Sequence, residues 1–144
     1  MSRLISVELE GFFFEKASIE TVIKFFEQNN ITYIYDEKIA VNFYKNNTNI
    51  SDFDYLDKSA LNNQKINIIG ILSSFYIDNE YYSLNFFPVS STKLSISFGS
   101  TKKIDEYFTD FNWIYNNFLK KINNELFNFH SIIYEDLDSQ YDDL

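Results

Sequence analysis

Residues 66–98 read INIIGILSSFYIDNEYYSLNFFPVSSTKLSISF, and this stretch decides the fold. Ile66, Ile68, Ile69, Ile71, Leu72, Phe75 and Ile77 put apolar side chains on both faces of one strand, the pattern of a strand inside a sheet. Asp78-Asn79 is a two-residue turn. Tyr82, Leu84 and Phe86 then alternate with Tyr81, Ser83 and Asn85 as far as Pro88, which lacks a ladder donor and is expected to end the strand. Val89 to Thr92 turns the chain again, and Leu94, Ile96 and Phe98 alternate with Ser95 and Ser97. Three strands joined by short turns predict an antiparallel meander.

Upstream, Ile5, Val7 and Leu9 alternate with Ser6, Glu8 and Glu10, so Leu4–Phe14 reads as a half-buried strand that bulges or ends near Gly11. Ser18 caps a helix with Glu20 in its first turn, Ile19, Val22, Ile23 and Phe26 on one face, and Asn29-Asn30 as its stop. Ile31–Tyr35 and Ile39–Tyr44 read as a short hairpin around Asp36-Glu37-Lys38. Residues 45–64 carry the weakest pattern, although Ser51 with Asp54 resembles a capping box and predicts a short helix through Leu61.

Downstream, Gly99-Ser100-Thr101 breaks the sheet. A long helix is expected to start at Thr101 or Asp105 and to lay Ile104, Phe108, Phe111, Ile114, Phe118, Ile122 and Leu126 across the sheet. Trp113 lies beside that stripe and reads as packing rather than a ligand platform. Phe127–Tyr134 either extends this helix or forms a last strand. The fold class expected is α+β: a mainly antiparallel sheet of five to six strands covered by two helices. Residues 1–134 form a single domain and 135–144 an acidic C-terminal tail.

Composition narrows the chemistry. The 144 residues include no Cys, one His (His130), one Arg (Arg3) and three Gly (Gly11, Gly70, Gly99). Thiol chemistry and a disulfide framework are excluded, and one His and three Gly argue against a Cys/His metal site and a glycine-rich phosphate loop. The 16 Phe and 11 Tyr accompany abundant Ile and Asn, a usage that A/T-rich codons produce, so aromatic content alone does not make a stacking platform. Twenty-one acids against 12 bases give a formal charge of −9. That balance disfavours phosphate backbones and anionic membranes and favours a basic protein partner. Residues 1–8 lack the apolar core of a secretory leader, and no apolar run approaches the roughly 18 residues of a membrane span, so a cytoplasmic protein is expected.

Two acidic clusters stand out as candidate partner-binding elements. Asp52, Asp54, Tyr55 and Asp57 form one, where Tyr can anchor and Asp can steer; the spacing lacks the glycine and final Glu of a calcium loop, so no metal is expected. Glu135, Asp136, Asp138, Tyr141, Asp142 and Asp143 form the other. For catalysis, His130 with Glu135 or Asp136 would be a base and its orienting carboxylate, and Glu8 with Glu10 a carboxylate pair. No activated hydroxyl accompanies His130, and alternation turns Glu8 and Glu10 to solvent, so a non-enzyme without a cofactor is expected.

An acidic single-domain α+β chain without catalytic residues resembles the immunity proteins of bacterial polymorphic and contact-dependent toxin systems. The resemblance lies in the layout of strand 4–13, helix 18–28, meander 66–98 and helix 104–126, and in composition; it includes no motif. It implies a protein that binds a cognate, basic toxin domain, possibly a nuclease, and occludes its active site. Asp52, Asp54, Tyr55, Asp57 and the tail acids would then be the interface. A phage-encoded acidic inhibitor or DNA mimic of a host nuclease uses the same physics, and a structural protein with a homodimer interface is a further alternative.

Overall fold

The computed structural model describes residues 5–43, 54–61, 69–77, 79–99 and 109–136. They form an α+β structure around one fully antiparallel sheet of seven strands: β1 (Ile5–Phe13), β2 (Ile39–Phe43), β3 (Asp54–Leu56), β4 (Ile69–Ile77), β5 (Glu80–Ser90), β6 (Lys93–Phe98) and β7 (Phe127–Asp136). The spatial order is β3-β2-β4-β5-β6-β1-β7. The expected meander is β4-β5-β6, with Ile77 opposite Glu80 and Ser90 opposite Lys93 at its two turns.

Alternation sets which face is buried. Ile5, Val7 and Leu9 of β1 are buried beside Leu94, Ile96 and Phe98 of β6, Leu84 and Phe86 of β5, and Ile71 and Phe75 of β4. Helix α1 (Ile19–Gln28) covers this face with Ile19, Val22, Ile23, Phe25 and Phe26. Its expected cap is present: Ser18 Oγ accepts the Thr21 N–H at 3.2 Å. At its end Asn29 donates Nδ2 to Phe25 O at 2.9 Å, and Asn30 turns left-handed at φ 56°.

The second covering element is continuous over residues 111–125. It consists of α3 (Phe111–Ile114), a π turn (Tyr115–Leu119) closed by Lys120 N–H to Tyr115 O, and α4 (Lys120–Glu125). Trp113, Ile114, Phe118, Leu119 and Ile122 all reach the core. Phe75 stacks between Tyr82 (5.6 Å) and Phe118 (5.1 Å), while Phe26 meets Phe86 edge-on at 5.1 Å. Trp113 is therefore packing, as expected. A third, short helix α2 (Lys58–Leu61) ends where the sequence predicted.

Several expectations are corrected. The sheet has seven strands, not five or six, because β3 and β7 both join it. Ile31–Tyr35 is no full strand: Thr32 bridges Ser74 and Tyr35 bridges Lys38 across Asp36 (φ 52°) and Glu37 (φ 68°), a left-handed two-residue turn. The long helix does not start at Thr101 or Asp105. Asp110 is its cap, accepting the Trp113 N–H at 3.1 Å, and Thr109 and Asp110 are not helical; residues 101–108 lie outside the described residues. Pro88 does not end β5, which continues to Ser90. Among the described residues the β4 ladder runs only as far as Ile71 opposite Phe86, so Pro88 lies beyond it and stands opposite Leu94 of β6. Asp54 is a strand residue opposite Val41, which rules it out of a helical capping box with Ser51. Glu135 and Asp136, counted with the tail, are the last residues of β7.

Candidate partner-binding surfaces

The described members of the two acidic clusters sit at opposite edges of the sheet. Asp54 and Tyr55 belong to β3 and Asp57 follows it; Glu135 and Asp136 end β7. Six strand spacings separate β3 from β7, roughly 29 Å. Tyr55 stands opposite Ala40 and is 60% exposed, and Asp57 and Glu135 are exposed too. Asp52, Asp138, Tyr141, Asp142 and Asp143 lie outside the described residues. The described members of the clusters are thus not brought together.

The β1–β7 edge carries more than acids. Inner-face residues of β1 are odd-numbered, so Ser6, Glu8, Glu10, Phe12 and Phe14 turn to the outer face. Phe12 is 54% exposed and Phe14 is 50% exposed, and the two rings meet edge-on at 6.3 Å. On β7 the same face presents Ser131, Ile133 and Glu135 opposite Glu10, Glu8 and Ser6. Ile133 is 47% exposed. Lys93 of β6 reaches Glu8 at 3.8 Å and leaves Glu10 and Glu135 as exposed acids. The result is a strip with Glu10 and Glu135 exposed and the apolar residues Ile133, Phe12 and Phe14 along it.

Phe12, Phe14 and Ile133 were not among the residues singled out from sequence. For the two phenylalanines the signal was there: they share the parity of Glu8 and Glu10, and alternation turns them outward with those acids. Ile133 was hidden by a change of phase. Phe127 and Phe129 face the core at odd numbers, whereas Ile132 and Tyr134 pack against it at even numbers. A bulge between them absorbs one residue: Glu10 pairs with Ser131 and Gly11 with Phe129, so His130 drops out of the ladder.

His130 is exposed at that bulge, beside a cleft of about 350 Å³ lined with Glu10, Ser90, Thr92 and Lys93. It is not assembled with Glu135 or Asp136. Five strand positions put Glu135 roughly 16 Å along β7. Among the described residues no group of three or more His, Cys, Asp or Glu is placed to hold a metal ion.

The helical side is electrostatically mixed. A groove of about 660 Å³ along α1 has the exposed pairs Lys24–Glu15 (3.4 Å) and Lys58–Glu27 (3.3 Å). The Glu27 hydrogen bond raises the Lys58 pKa above its ordinary value, and burial raises that of the nearby Tyr33 phenol. Acids and bases alternate here, unlike the β1–β7 strip. Among the described residues no helix is long and apolar enough to cross a membrane. Comparison with known proteins finds no matching family model, no matching curated protein and no matching solved structure.

Proposed function

We propose that this chain is an immunity-type inhibitor: it binds a cognate basic toxin domain stoichiometrically and neutralises it by occluding its active site. The observation that carries the reading is the outer face of β1 and β7. Exposed Glu10 and Glu135 lie there beside exposed Phe12, Phe14 and Ile133, on a chain of net charge −9. Acids of this kind accelerate encounter with a basic surface, and exposed aromatics supply the desolvated contacts that hold it. Tyr55 and Asp57 at the far edge form a second acidic–aromatic element for the same partner or for a larger one.

The test is growth rescue. The C-terminal domain encoded by the reading frame immediately upstream is expressed alone and together with this chain. Arrest alone and growth with co-expression is the expected result, followed by isolation of a 1:1 complex. Arrest that this chain does not relieve, or no arrest at all, contradicts the reading.

A further inference from the structure

We propose that the cavity where the end of α1, the end of β4 and the π turn meet binds an apolar α-amino acid, held as its zwitterion. The described lining belongs to these elements and to α4, not to β1 or β7, so the inhibitor reading neither needs this site nor falls with it. The cavity measures about 320 Å³, and small-molecule sites run from about 300 Å³ upward. Ile31, Phe75 and Ile77 give it an apolar wall, and Asn29, Asn117 and Lys121 supply polar groups.

Each polar group follows from local structure. Asn29 ends α1, and its Nδ2 donates to Phe25 O at 2.9 Å, which leaves Oδ1 as the acceptor it offers. The last turn of α1 carries no basic side chain, so none of its own residues offsets the negative end of the helix dipole. Asn117 lies in the π turn, a rare departure from α geometry that is found most often at functional sites. Its Nδ2 likewise donates to Trp113 O at 2.9 Å and leaves a second Oδ1 acceptor. One turn later, Lys121 is exposed and has no ion-pair partner among the described residues.

These groups select a small molecule with opposite charges at its head. An ammonium suits two carboxamide oxygens near the negative end of α1, a carboxylate suits Lys121, and an apolar side chain suits the wall. An amine alone meets Lys121 as a like charge. A carboxylate alone leaves both Asn oxygens without a donor, and a phosphate sets extra negative charge near the end of α1.

The experiment is an NMR titration of the whole chain with its isoleucine methyl groups isotope-labelled. The probe is L-phenylalanine. Its analogues are hydrocinnamate, which lacks the ammonium, and phenethylamine, which lacks the carboxylate. L-Phenylalanine moves the Ile31 and Ile77 methyl signals along saturable curves with a Kd of about 10 mM or below. Both analogues bind about tenfold more weakly. Lys121→Met weakens phenylalanine binding about tenfold with the rest of the spectrum unchanged. Lys120→Met, on the same helix but not in the described lining, binds as the parent does. No saturable movement at Ile31 and Ile77, or either analogue binding as tightly as phenylalanine, overturns the proposal. An unchanged affinity in Lys121→Met, or an equal loss in Lys120→Met, overturns it as well.

Discussion

Gly11 of β1 lies directly opposite Phe129 of β7, at the point where the bulge at His130 brings the two backbones together. A Cβ on Gly11 would overlap the Asn128 carbonyl oxygen and come within 2.6 Å of Phe129 Cα. Both are backbone atoms and neither can step aside without shifting β7. Gly11→Ala is expected to destabilise the fold by about 1–3 kcal/mol, the range for forcing extra volume into a packed site. Urea unfolding checks this, and an unchanged midpoint would show that β7 is not held this closely.

Ser73 is fully buried on the core face, between Ile71 and Phe75, and its hydroxyl has no hydrogen-bond partner among the described residues. A buried hydroxyl without a partner carries its desolvation cost uncompensated. Ser73→Ala is expected to hold stability constant or to raise it by about 1 kcal/mol in thermal or urea melts. A clear loss of stability would mean that the hydroxyl is satisfied in solution.

Local alternation made most of the fold readable. The meander follows from Ile71, Leu84 and Leu94 with their period-two neighbours, and α1 follows from Ser18 and its apolar stripe. What sequence could not settle were places where two patterns compete. Apolar spacing runs back to Ile104, so it concealed that Asp110 caps the helix. β3 is three residues long and shows no period of its own. The phase change around His130 is local and is resolved only by pairing with β1. For the candidate site, the acids were legible as clusters. Their separation to opposite edges was not, because strand order is a long-range property, and Ile133 had no meaning as an exposed residue until β7 was placed.

Alkaline pH provides a test of the packing under α1. Burial raises the Tyr33 phenol above its ordinary 10.0, with Glu27 acting in the same direction. Lys58 is raised above 10.5, chiefly by its hydrogen bond to Glu27. In both cases the unfolded chain loses its proton first as pH climbs. Stability from these groups is therefore fully present below about pH 10 and falls as pH rises through the folded values. Tyr33→Phe removes the phenol's share, so unfolding free energy measured from neutral pH upward is expected to decline less steeply above pH 10. An identical slope in the variant would contradict a buried, protonated Tyr33.

The outer face of β1 and β7 separates binding from folding. Phe12 and Ile133 are about half exposed, so replacing either by Ser removes little core packing. Phe12→Ser and Ile133→Ser are expected to leave the unfolding free energy from urea melts within about 0.5 kcal/mol of the parent. Each is expected to weaken binding of the proposed toxin partner by about 1–2 kcal/mol, as anchors of an interface do. Calorimetric titration of the variants checks both halves. Variants that bind as tightly as the parent would move the interface off this face.

The most direct measurement is a calorimetric titration of the purified toxin domain into this chain at low and at high salt. The inhibitor account predicts a 1:1 complex whose affinity falls as salt screens Glu10, Glu135 and the other exposed acids of a −9 chain. No binding, or an affinity indifferent to salt, would contradict it.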